Sequence, residues 1–164
     1  MGGWQLPPDS GHMERPSGVY YQTMNMTEIN ARLKQNDLII IPVGSTECHG
    51  AAQPLGEDTF LVSRMAEQVA LKTGCTVAEP VWYGSHPYNH LGMPGTVVVP
   101  EDAFLANLRA VIAGFWNTGF RKQILLNGHG EFMHMELAVD TKPEGLLPPG
   151  HVDKGGEVYG PGRH

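Results

Sequence analysis

Cysteine is nearly absent: Cys48 and Cys75 are the only two in 164 residues. Two are too few for a disulfide framework and fit a reducing compartment, so a cytoplasmic protein is expected. Long apolar runs are missing too. None approaches the ~20 residues that a bilayer-spanning helix needs, and Met1 to Gly18 is rich in Gly and Pro where a secretory signal would be basic and then apolar. No membrane partner is expected. Basic residues are outnumbered, 11 against 17 acidic, giving a formal charge of -6 without a Lys or Arg cluster. Such a surface does not suit phosphate backbones, which excludes nucleic acid as an expected partner. What is plentiful is histidine, with eight residues. It is the commonest metal ligand and the usual proton carrier near neutral pH, so its placement matters.

The 41% hydrophobic and 17% charged content is ordinary for a globular protein, and the length predicts a single domain over residues 1–164. Residues 1–20 have no clear period and carry Pro7, Pro8 and Pro16, which predicts an irregular arm. Thr27 is placed to cap a helix running to Gln35, followed by a buried strand over Leu38 to Pro42 that ends at Gly44. Phe60, Leu61, Met65, Val69 and Ala70 are near helical spacing. They predict a helix from Thr59 to Thr73 with one buried face, capped by Asp58 or Thr59 and stopped by Gly74. Strands are expected at Thr76 to Val81, Thr96 to Val99 and Gln123 to Leu126, with a helix over Glu101 to Asn117 between Pro100 and Gly119. Alternating strands and helices of these lengths argue for an α/β fold with a mostly parallel sheet covered by helices. Residues 141–164 hold ten Gly or Pro, so a loop-rich tail is expected there.

The chemistry concentrates after two of the apolar strands. Glu47 and His49 are two apart, so in extended chain they point to one face. His129 and Glu131 repeat the pair in reverse order after the last strand. Two such pairs at carboxyl ends of strands meet in the crevice where open α/β sheets bind ligands. Asp58, at a helix start, can join them. Three carboxylates and two imidazoles are nitrogen and oxygen donors suited to Zn, Mn or Fe. Clustered carboxylates are unfavourable unless a cation or base neutralises them. We therefore expect two divalent ions, zinc as first choice, with Asp58 shared between them and water activated near pH ~7 against 15.7 in bulk. Cys48 lies between two of these residues, and alternation turns it away.

Four blocks in order resemble the creatininase family of metal hydrolases: VGSTECHG at 43–50, PLGEDT at 54–59, HLGMPGT at 90–96 and GFRKQILLNGHGE at 119–131. The resemblance covers roughly residues 38 to 132. It implies a three-layer α/β/α subunit, commonly assembled as a hexamer, and metal ligands at Glu47, His49, Asp58, His129 and Glu131, with Glu131 also in the catalytic set. Where creatinine-specific members place a tyrosine between the last His and Glu, this chain has Gly130. Poor activity on creatinine is expected for that reason. His90 falls in the third block and, with Gly130, is expected at the substrate. Members run longer after the last block, so the tail here is read as an incomplete counterpart, with His151 as proton donor.

The function expected is metal-dependent hydrolysis of a cyclic amide or related C–N bond in a small molecule, activated water attacking the carbonyl. An alternative is opening of a carbocyclic ketone such as an oxidised inositol, an inosose. A third reading is a non-catalytic metal-binding or assembly subunit. A homo-oligomer is expected in each case.

Overall fold

The computed structural model describes residues 18–130. Its elements are α1 (Met26–Gln35), β1 (Leu38–Val43), α2 (Glu57–Thr73), β2 (Thr76–Val77), α3 (Glu101–Thr118) and β3 (Lys122–Asn127), with 3-10 turns at Tyr21–Thr23 and Tyr88–His90. The three strands form a parallel sheet in the order β2-β1-β3. Leu38 pairs with Lys122 and Val43 with Asn127, so the carboxyl ends of β1 and β3 are level.

β1 is central, and its side chains alternate between two cores. Ile39, Ile41 and Val43 pack with Phe104, Leu108 and Ile112 of α3. Ile40 packs on the other face with Ala66 and Ala70 of α2 and Val77 of β2. This is why the strand reads as an unbroken apolar run: a strand covered on both faces has no polar side. Each fully buried Ile there contributes on the order of 1.5–3 kcal/mol. The result is the expected α/β/α layering.

Several boundaries differ from expectation. Asn25, not Thr27, caps α1: its Oδ1 accepts from the Thr27 and Glu28 amides while Glu28 accepts from the Asn25 amide, a reciprocal box. Neither Asp58 nor Thr59 caps α2. The helix begins at Glu57 after Gly56 without a side-chain cap, which puts Asp58 in its first turn. β2 stops at Val77 because Pro80 has no amide to offer the ladder, although Val81 rejoins by donating to Pro42. Thr96 to Val99 is not a strand. It is held by single contacts, a bridge from Ser85 to Val99 and the Val97 amide donating to Thr46.

The buried face of α2 also differs from the expected one. Val62, Ala66 and Ala70 face the sheet with Thr59 and Glu67, whereas Phe60, Leu61, Met65 and Val69 are exposed. Small side chains let the helix lie close on the strands, and bulk is displaced outward. The end of the N-terminal arm is fixed: Val19 and Tyr20 are buried, and the Val77 amide donates to Val19. The rest of that arm and the tail at 141–164 lie outside the described residues. No helix among the described residues is long and apolar enough to cross a membrane.

Candidate metal centre

Beyond β1 the chain runs without helix or strand to the turn at Gly50, and Ser45, Glu47 and His49 follow at alternate positions. Two glycines let α2 come up against both strand ends. A Cβ on Gly44 would lie 2.2 Å from Thr59 Oγ1, and one on Gly128 would lie 2.6 Å from the Asp58 carbonyl oxygen. The first turn of α2 therefore sits directly over the sheet's carboxyl edge. Its unpaired amides favour a carboxylate there.

Asp58 is the hub. Its Oδ2 accepts from Ser45 Oγ at 2.7 Å and lies 2.8 Å from His129 Nδ1, while its Oδ1 is 3.3 Å from His49 Nε2. Glu47 Oε1 is 2.9 Å from the same His129 nitrogen and 3.9 Å from His49 Nε2. His49 directs Nδ1 to the Glu47 carbonyl at 3.2 Å, which leaves Nε2 turned to the carboxylates. Burial pushes the Asp58 carboxyl up, but hydrogen bonds from Ser45 and His129 and the charges of His129 and His49 outweigh it and hold it below its ordinary value.

Four of the five expected ligands, Glu47, His49, Asp58 and His129, thus converge. Glu131 and His151 lie outside the described residues. Cys48 is half-buried, belongs to neither donor group, and its amide donates to Thr96 Oγ1, in keeping with its turning away. His90 has no ion pair with a carboxylate among the described residues, and its ring is 6.0 Å from that of His86. A Cβ on Gly130 would meet nothing within 4 Å among the described residues.

Two further residues of this cluster are not among those expected from the sequence. Ser45 was legible by the same alternation that paired Glu47 with His49, and it is fully buried. The other is His86. It is buried with its Nδ1 3.6 Å from Glu47 Oε2 and its ring 4.6 Å from that of His129. No local spacing could have found it, because a loop brings it in.

The donors form two groups that share Glu47, one with His86 and His129 and one with His49 and Asp58, each with its ligand atoms within 4.8 Å of one another. Nitrogen and oxygen donors at this density fit a divalent ion. So does His86, a buried imidazole with neither ring nitrogen hydrogen-bonded among the described residues.

Comparison with known proteins agrees with this chemistry. The family model described as creatininase, creatinine amidohydrolase, matches residues 22–144. The 3-dehydro-scyllo-inosose hydrolase of Thermotoga maritima is 52% identical over 210 residues, covering 89% of this chain and 68% of that protein. That alignment is longer than the chain, so some positions of the relative have no counterpart here. The creatinine amidohydrolase of Pseudomonas putida is 26% identical, covering 69% of this chain and 45% of its own length. A crystal structure of creatininase shares the fold, with a TM-score of 0.69 at 24% identity over 76% of this chain and 51% of that one. The chain spans about half the length of these last two proteins. On the extent of the family match and the 52% identity, the chain belongs to the creatininase family of hydrolases.

Proposed function

We propose that this chain forms the metal centre of a hydrolase that opens a polyhydroxylated carbocyclic ketone of the inosose type. The observation that carries the reading is the convergence of Glu47, His49, Asp58 and His129 at the carboxyl ends of β1 and β3. The choice of substrate is supported by the 52% identity to an inosose hydrolase. These four residues would hold the metal, with Glu131 as a further ligand, as two ions with zinc the first choice and manganese or iron the alternatives. When bound, such an ion supplies a Lewis acid for a carbonyl oxygen and a water that ionises near pH ~7.

The chain's own residues do the positioning. Ser45, by donating to Asp58 Oδ2, fixes which carboxylate oxygen faces His49. The Glu47 carbonyl does the same for His49 through Nδ1. Water adds to one ring carbonyl, the adjacent C–C bond breaks, and its electron pair passes to a second carbonyl one carbon away as an enolate. Protonation of that carbon gives an open-chain keto acid, with one water consumed. His151 is the proposed proton donor, and His90 and Gly130 the substrate side. Gly130 brings no side chain to that side, and a Cβ there would meet nothing within 4 Å among the described residues, which supports a ring bearing hydroxyls over a compact lactam.

A second reading, hydrolysis of a cyclic amide, rests on the family model itself. A cytoplasmic homo-oligomer such as a hexamer goes with either reading, supported by the exposed Leu61, Met65 and Val69 stripe on α2. The test is a pH-stat and mass-spectrometric assay of the zinc- or manganese-loaded protein on a diketo-inositol, creatinine and hydantoin. Ring opening of the diketo-inositol at least about 100-fold faster than of creatinine is expected. Comparable turnover of creatinine would favour the second reading, and no turnover of any of them by metal-loaded protein would sink both.

A further inference from the structure

His86 is the least explained side chain in the described residues. Its side chain has no exposed surface. A neutral imidazole carries one N–H and one lone pair, and burying both without partners is unfavourable by roughly 1–3 kcal/mol. Neither ring nitrogen of His86 has a hydrogen bond among the described residues. Packing alone does not account for it, since a Leu or Phe would fill the same space without polar atoms.

A carboxylate oxygen, Glu47 Oε2, lies 3.6 Å from Nδ1. That separation is too long for a hydrogen bond, whose normal range is about 2.7–3.2 Å. It is close to the spacing of two ligands on one ion: donors about 2.1 Å from a tetrahedral zinc stand about 3.4 Å from each other. His129 completes the group, its ring 4.6 Å from that of His86 and inclined at 64°. Glu47, His86 and His129 bring ligand atoms within 4.8 Å of one another.

We propose that His86 is a ligand of the metal centre, acting with Glu47 and His129 beside the group formed by Glu47, His49 and Asp58. The inference rests on the metal reading above and adds a donor that arrives from the loop after β2, not from either strand end. It also gives a reason for the half-buried His90 beside it, whose ring is 6.0 Å from that of His86.

The test uses the full chain, loaded with zinc or cobalt(II), with metal equivalents measured by elemental analysis and affinity by competition with a chromophoric chelator. His86→Gln keeps most of the volume but removes the imidazole donor. It is expected to weaken one equivalent by about 10–100-fold or more while the other is held, whereas His90→Gln retains both. His86→Cys gives an independent readout. Its cobalt form is expected to show a near-ultraviolet thiolate-to-cobalt absorption that the wild-type cobalt form lacks. Wild-type affinity at every equivalent in folded His86→Gln, or no new absorption in His86→Cys, overturns the assignment. If the wild-type chain takes up no divalent ion, the metal reading itself fails. If it does and His86→Gln matches it, only the role of His86 fails.

Discussion

Two acidic clusters flank the length of α2, and they are built on opposite logic. Near its middle, Glu67 is buried but complete: Tyr20 donates to Oε2 at 2.8 Å and the Arg64 guanidinium meets Oε1 at 3.0 Å. At its start, Glu47 and Asp58 are less buried, yet every ion-pair partner they have among the described residues is a histidine. The first cluster carries its own permanent cation and needs nothing more. The second pairs its carboxylates only with imidazoles, which are themselves metal-ligating groups, and leaves lone pairs converging. Folds neutralise buried acids where structure is the purpose, and a set left without a fixed positive charge marks the place for an external one.

The sharpest way to break the comparison is Asp58→Asn, which keeps the shape but removes a charge. The variant is expected to fold, to lose at least one metal equivalent and to lose hydrolysis by more than about 100-fold, beyond what loss of a supporting contact around a ligand produces. Full metal content in the purified variant would remove the distinction between the two clusters. Ser45→Ala should come next, weakening metal binding about 10–100-fold because Asp58 Oδ2 loses its donor. A chelator competition showing wild-type affinity would make Ser45 a packing residue.

Tyr20→Phe probes the other cluster. Glu67 loses a buried hydrogen bond, so unfolding in urea should come about 1–3 kcal/mol easier while metal content stays unchanged. Loss of metal in this variant would show the clusters to be coupled. Acid should separate them further in metal-free protein. Burial, then the nearby His129 and His90, lower the His86 pKa to about 4 from 6.5, with Asp58 opposing. The unfolded chain therefore takes up that proton first, and stability should fall as pH drops from 6.5 towards about 4. Asp58 has a lowered pKa, so its contribution is present above 3.8 and is lost below it. His86→Gln should flatten the upper part of a plot of denaturation midpoint against pH, and an unchanged profile would count against the burial argument. The smallest effect is expected from Cys48→Ser, which should keep its metal. A measurable loss would place the thiol among the ligands.

How much of this was legible in the sequence depended on distance along the chain. The layering and the donors Glu47, His49 and His129 were readable because each sits directly after an apolar strand, where local periodicity fixes direction. Asp58 was readable as a participant but not as a member of the helix, since Gly56 offers no capping side chain to mark the boundary. The buried face of α2 was not readable. Helical spacing is shared by both sides of that helix, and the close fit that selects Ala66 and Ala70 over Leu61 and Met65 is a tertiary property. His86 was hidden for a related reason: its neighbours in space are 39 residues before it and 43 after it, at positions 47 and 129.

The three glycines at this edge also set how the site can diversify. Gly44 and Gly128 are closed to any side chain, because α2 occupies the volume a Cβ would take. Variation there would dismantle the scaffold before it altered chemistry. At Gly130, one residue past His129, a Cβ would meet nothing within 4 Å among the described residues. A mutational library aimed at new substrates should therefore hold 44 and 128 fixed and randomise 130, where selectivity can drift without threatening the frame that positions Glu47, Asp58 and His129.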